Sequence, residues 1–305
     1  MKYLLFVLLF LTFCSCKSNT AKKLEAVNGA KKIKIEYAKH FNLSLEKNHY
    51  NLEILDPISG NVESTHKIET GKSYNAISLT ATVNGMYALL HQQKQLKGVS
   101  DIDYVYDQTI KYLYNHKKIK VFGDETSHSV EKIISSGANT ILYSGFGEEF
   151  PNQIKLEKLD FTILPIYDWK EIHPLGKAEW IKVIGALTGK IDEATLLFDN
   201  VVKEYNALKK VAQNVSNKPS CISGNLIGDI WYTPASESYV AYLMKDAGAN
   251  YRYSKTKGQV SLEFSIEQIL KDNEATEFWI NPGYDSKSKI EKSNPHIKHL
   301  KCYKN

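Results

Sequence analysis

The densest cluster of chemically capable side chains is Tyr167-Asp168-Trp169-Lys170-Glu171-Ile172-His173-Pro174. A carboxylate beside an imidazole can do general acid–base work, with Glu171 as base next to His173. The same residues can equally orient a loop. Other catalytic patterns are missing: the chain has no Gly-x-Ser-x-Gly elbow, no complete P-loop and no His-Glu-x-x-His motif. Gly145-Phe146-Gly147 lacks the third glycine and the helix onset of a dinucleotide loop. His296 and His299 have only Cys302 nearby and read as surface histidines rather than metal ligands.

A second chemistry is recognition by ring faces. Tyr167, Trp169, Phe146, Trp231, Tyr232 and Tyr284 all fall near the ends of strand-like runs. Each could pack in a core, since such rings are mostly buried. Arg252 is the only arginine, so a bidentate guanidinium grip on an anion has one donor; the other 38 of the 39 basic residues are lysines.

The elements that must position these groups follow from patterning. Ile33-Lys34-Ile35-Glu36-Tyr37 and Tyr50-Asn51-Leu52-Glu53-Ile54 alternate and predict strands with one buried face. Short apolar strands ending near Leu79, Val99, Gly123, Gly145 and Ile166 alternate with helical stretches, which predicts a parallel sheet with right-handed crossovers. One long helical region follows Pro174, with Gly189 able to end it. A second α/β block carries Ser220–Gly224, a helix over Tyr239–Ala247 and a strand stopping at Asn281-Pro282-Gly283. The expected plan is α/β, with a first lobe at 33–173, an inter-lobe helix at 174–190 and a second lobe at 191–305. The second lobe is short of elements and is expected to lack a C-terminal piece.

Length and composition set the outer bounds. The 305 residues, 43% apolar and 24% charged, describe a globular chain long enough for two domains and exclude a disordered or multi-span membrane protein. A net charge of +5 argues against a nucleic-acid binder. At the N-terminus, Lys2 precedes an apolar run, Leu4 to Leu11, too short to span a bilayer. It ends in Phe13-Cys14-Ser15-Cys16-Lys17, which resembles a bacterial lipobox. The expectation is a signal at 1–15, lipid attachment at Cys16 and a polar tether at 16–32. Cys14 is the rival site, and an unlipidated signal peptide is the plainer alternative.

Glu171-Ile172-His173-Pro174-Leu175-Gly176-Lys177-Ala178-Glu179-Trp180-Ile181-Lys182 resembles a segment of the periplasmic substrate-binding proteins of ABC transporters for iron–siderophores, haem and vitamin B12. Gly228-Asp229-Ile230-Trp231-Tyr232-Thr233-Pro234 and Asp246-Ala247-Gly248-Ala249 are similar to the same family. The resemblance implies two α/β lobes joined by one long rigid helix, with the ligand held between them. It implies a monomer in the periplasm, no cofactor, and two partners: a metal chelate and an ABC permease. A ferric siderophore is the favoured cargo, with cobalamin or haem as alternatives. Tyr167, Trp169, Glu171, Phe146, Trp231, Tyr232, Tyr284 and Arg252 are the candidate ligand-binding residues. The family's docking glutamates are not evident: His91, Gln92 and Gln93 stand on the first lobe, and Glu237 is the candidate on the second. A lipid-anchored enzyme using Glu171 and His173, and an adhesion lipoprotein without a small ligand, are the readings from other classes.

Overall fold

The computed structural model describes residues 31–125, 129–146, 149–284, 286–293 and 295–304. The expected signal segment and Cys16 therefore lie outside the described residues.

The first lobe opens with an antiparallel sheet of β1 (Lys31–Lys32), β2 (Phe41–Glu46), β3 (His49–Leu55) and β4 (Val62–Glu69), in that order. On β2 and β3 the period of two turns Phe41, Leu43, Tyr50, Leu52 and Ile54 inward. The strand expected over 33–37 does not form. The amides of Glu36, Tyr37 and Ala38 instead donate to the Glu179 carboxylate, at 2.7–3.1 Å, and those of Lys39 and His40 donate to Glu171. Backbone donors that a neighbouring strand would satisfy are taken by two buried side chains.

A five-stranded parallel sheet follows, built from β5 (Ala76–Ser78), α1 (Ala81–Leu89), β6 (Leu96–Val99), α2 (Gln108–Asn115), β7 (Lys120–Val121), α3 (Val130–Ile134), β8 (Thr140–Tyr143), α4 (Gln153–Glu157) and β9 (Thr162–Pro165). The strand order is β7-β6-β5-β8-β9, so the winding reverses between β5 and β8. Side-chain caps start the helices: Thr80, Asp107 and Ser129 each accept from the amide three residues on. Apolar residues cover both faces of the sheet, with Leu142, Leu164 and Val99 in one cluster and Ile77, Ile141 and Ile163 in another.

The helical region at 174–190 is not the inter-lobe bridge. It breaks at Trp180 into α5 (Pro174–Glu179) and α6 (Ile181–Thr188), and every residue from Ile181 to Leu187 is buried in the first-lobe core. Gly189 ends α6 at φ +70°, in the left-handed region. The long joining helix is the next one, α7 (Ile191–Gln213), of 23 residues. Its first half buries Ala194 and Phe198 in the first lobe. Its second half meets the second lobe, where Tyr205 Oη and Lys209 Nζ both bond Asp246.

The second lobe comprises β10 (Ser220–Ser223), β11 (Asn225–Ile227), β12 (Ile230–Pro234), α8 (Tyr239–Asp246), β13 (Asn250–Tyr251), β14 (Ser261–Ser265), α9 (Ile266–Asp272), β15 (Phe278–Ile280), α10 (Lys287–Ser293) and α11 (Lys301–Lys304). A parallel sheet, β13-β10-β15, is backed by an antiparallel one, β11-β12-β14. Ile222, Trp231, Ile269 and Ile297 centre its core.

Candidate functional site

In open α/β sheets ligands collect outside the carboxyl ends of the strands, where the winding reverses. On the first lobe that edge is formed by the loops after β6, β7, β8 and β9. They are tied to one another. Ser144, after β8, donates from its amide and its hydroxyl to Glu125, after β7. Trp169, in a 3-10 turn after β9, donates from Nε1 to Ser144 O at 2.7 Å. Its ring lies 4.9 Å from that of Phe146, which is 73% exposed, and Lys170 Nζ stands 4.4 Å over the indole. The result is an aromatic shelf with an ammonium at its side.

Tyr104 and Tyr106, after β6, are 66% and 82% exposed on either side of buried Val105. They were not singled out from the sequence, although two tyrosines spaced by two just beyond a strand are a legible signal. From β6 to β9 is three strand spacings, roughly 14 Å at the level of the strands.

Beyond Lys170 the same segment walls a cavity of about 580 Å³ that straddles the lobes. Lys39, His40, Lys170 and His173 face it from the first lobe, Tyr242 and Gln259 from the second. His173 caps α5 by accepting the Leu175 amide at Nδ1, 3.1 Å away. Its ring packs 5.1 Å from Tyr37, 6.0 Å from Tyr205 and 5.8 Å from Tyr242, so it touches both lobes and the joining helix. Burial, with help from the Lys209 charge, holds its pKa below the usual histidine value against the opposing pull of Asp246.

Several sequence candidates lie elsewhere, although Glu171 lines this cavity. Glu171 is buried, and its carboxylate is spent on the Lys39 and His40 amides and on Trp180 Nε1, at 2.9–3.2 Å. Burial raises its pKa. Its carboxylate anchors the Lys39 and His40 backbone at the wall of that cavity. Trp231 is not a loop ring but a strand residue with no exposed surface, its ring 5.0 Å from that of Trp279 and tilted by 37°. Tyr232, its neighbour on β12, points to the opposite face, across from Asn225 and Glu263. Tyr284 is half-buried and donates to Leu226 O at 3.0 Å. Tyr167 is buried and donates to Glu63 at 3.0 Å, behind the shelf rather than on it. Arg252 directly follows β13, and its guanidinium lies 3.7 Å from Asp272, the last residue of α9. Glu237 is exposed just before α8 and accepts from the Gly258 amide. Among the described residues no cluster of three metal-ligating side chains occurs, and no helix is long and apolar enough to cross a membrane.

Two α/β lobes are carried on one long helix, with exposed rings beyond the strand ends of the first. The chain belongs to the periplasmic binding protein family, which it matches over residues 77–305. A periplasmic binding protein of Veillonella parvula superposes with a TM-score of 0.62 at 15% identity, covering 83% of this chain and 88% of that one. The periplasmic haem-binding protein of Vibrio cholerae gives 0.59 at 14% identity, over 76% and 87%. The triscatecholate siderophore-binding protein of Bacillus subtilis, complexed with ferri-bacillibactin, gives 0.54 at 15%, over 79% and 84%. An uncharacterised lipoprotein of Methanocaldococcus jannaschii is 26% identical over 239 residues, 76% of this chain and 56% of its own length. The chain thus spans about half the length of the curated relatives it matches.

Proposed function

We propose that this protein is the solute-binding component of an ABC importer and captures a metal chelate of the ferric siderophore class. The observation that carries the reading is the exposed Phe146–Trp169 pair with Lys170 over it, at the carboxyl edge of the first-lobe sheet. Broad chelates present apolar edges that ring faces cover at low entropy cost, and many carry negative charge that lysines attract. Structural neighbours named for haem and for a ferric siderophore support the same class of cargo. The proposal includes lipid attachment at Cys16, supported by relatives named as lipoproteins, and permease docking that uses Glu237.

The test is titration of the purified chain with a ferric catecholate, haem and cyanocobalamin, read by quenching of intrinsic fluorescence. Saturable quenching by the ferric catecholate is expected, weakened about thirtyfold in Trp169→Ala, the loss of one well-packed ring. Tighter binding of haem or cobalamin would reassign the cargo. Failure of all three to bind would overturn the reading. Loss of membrane association in Cys16→Ala, with Cys14→Ala unaffected, checks the anchor.

A further inference from the structure

On α1, Thr82, Gly85, Met86 and Leu89 follow the i, i+3, i+4, i+7 spacing of a single helical face. That face walls a second cavity of about 380 Å³, completed by Ala178 of α5 and by Phe198 and Val201 of α7. Tyr239 of the second lobe closes one side. The walls are almost wholly apolar, and the exception is informative. Asp168 reaches the cavity, and its Oδ2 is buried without a hydrogen bond, although Lys177 Nζ lies 3.4 Å away and balances its charge. A carboxylate oxygen that is ion-paired but accepts no hydrogen bond can still take one from a ligand that brings a donor.

Gly85 is the second observation. A glycine inside a helix is unfavourable, and here the protein has no steric need of it: a Cβ at Gly85 would meet nothing within 4 Å. Close approach by something other than this chain is what a bare backbone at that point allows.

We propose that this cavity is a separate small-molecule site, for an uncharged amphipath with an apolar body and one hydroxyl that donates to Asp168. A cation would meet Lys177, and an anion would meet Asp168. A cavity of about 150 Å³ accepts benzene, so this one fits two fused rings or a chain of similar bulk. The assignment is independent of the cargo proposed above.

Isothermal titration of the full chain with 2-naphthol, and with 2-methoxynaphthalene as the donor-free control, tests it. Saturable binding of naphthol is expected, with the ether at least tenfold weaker. Gly85→Phe should plug the cavity and abolish both while leaving the melting temperature unchanged or higher. Val201→Trp is a second plug from the opposite wall. No saturable binding to the parent overturns the proposal, as it would if this face received a protein instead. So does equal affinity for the two compounds, or binding that survives both plugs.

Discussion

The hydroxyl of Tyr205 donates to Asp246 Oδ2 at 2.8 Å, joining the middle of α7 to the last turn of α8. Lys209, one turn on, holds the other oxygen at 2.9 Å. Burial alone would raise the Asp246 pKa, but hydrogen bonds from Lys209 and Tyr205, and the nearby charges, bring it below the usual value. The second lobe is therefore clamped to the joining helix, while the helix's first half is part of the first-lobe core. Closure on ligand should be small, and scattering profiles with and without cargo should nearly superimpose. Asp246→Ala should cost about 2 kcal/mol of stability, as expected when a hydrogen bond to a charged group is lost. It should also enlarge the ligand-dependent change in radius of gyration. A large change already present in the parent would show that the clamp does not hold.

The two tryptophans proposed for the cleft should part company. Trp231 fills the second-lobe core against Trp279, so Trp231→Ala should cost about 3–5 kcal/mol in urea unfolding. Its folded fraction should bind cargo as the parent does. Trp169 is 37% exposed on the shelf, so Trp169→Ala should leave the unfolding midpoint nearly unchanged while weakening binding. The opposite pattern would return Trp231 to the site.

What the sequence disclosed, and what it hid, follows from the kind of order involved. Period-two strands such as β3, and helices opened by Asp107 or Ser129 and followed by Gly137, carry their signals locally. The run Ile230-Trp231-Tyr232 has no alternation, so nothing local said which ring turns inward; register against Asn225 and Glu263 decides it. The stretch from Ile181 to Leu187, apolar but for Lys182, marked a buried helix rather than a bridge, and the amphipathic α7 with its polar outer side was the better linker. Glu171 looked like chemistry because a carboxylate beside an imidazole usually does, whereas Glu179 read as structural from its place inside a helix. The amides that both carboxylates hold lie more than 130 residues away, which no spacing rule reaches.

Glu179 forms an ion pair with Lys182 at 2.7 Å, with both side chains buried, and Lys182 also donates to Lys34 O. Removing one partner strands the other charge. Glu179→Ala should cost about 3–5 kcal/mol, and Glu179→Leu combined with Lys182→Met should be less harmful than Glu179→Ala alone. Because the carboxylate also binds the amides of Glu36, Tyr37 and Ala38, the double variant should still show faster amide exchange there. A cost below about 1 kcal/mol for Glu179→Ala would show that the pair is not buried in solution.

His66 supplies a pH dependence with a definite sign. It sits half-buried on β4, with Nε2 2.8 Å from Ser64 Oγ, and burial lowers its pKa to about 4 against the weaker opposing charge of Glu157. The folded chain keeps this ring neutral at pH values where the unfolded chain, near the ordinary value of about 6.5, has already protonated it. Between those two values the unfolded state binds more protons, so the stability tied to His66 is fully present above pH 6.5 and is lost as pH falls toward 4. His173 is shifted in the same direction, so the informative quantity is the difference between parent and variant. Melting temperatures measured from pH 7 to pH 4 should fall more steeply in the parent than in His66→Gln, which cannot take up the proton. Parallel curves would mean that His66 is hydrated in the folded protein and titrates normally.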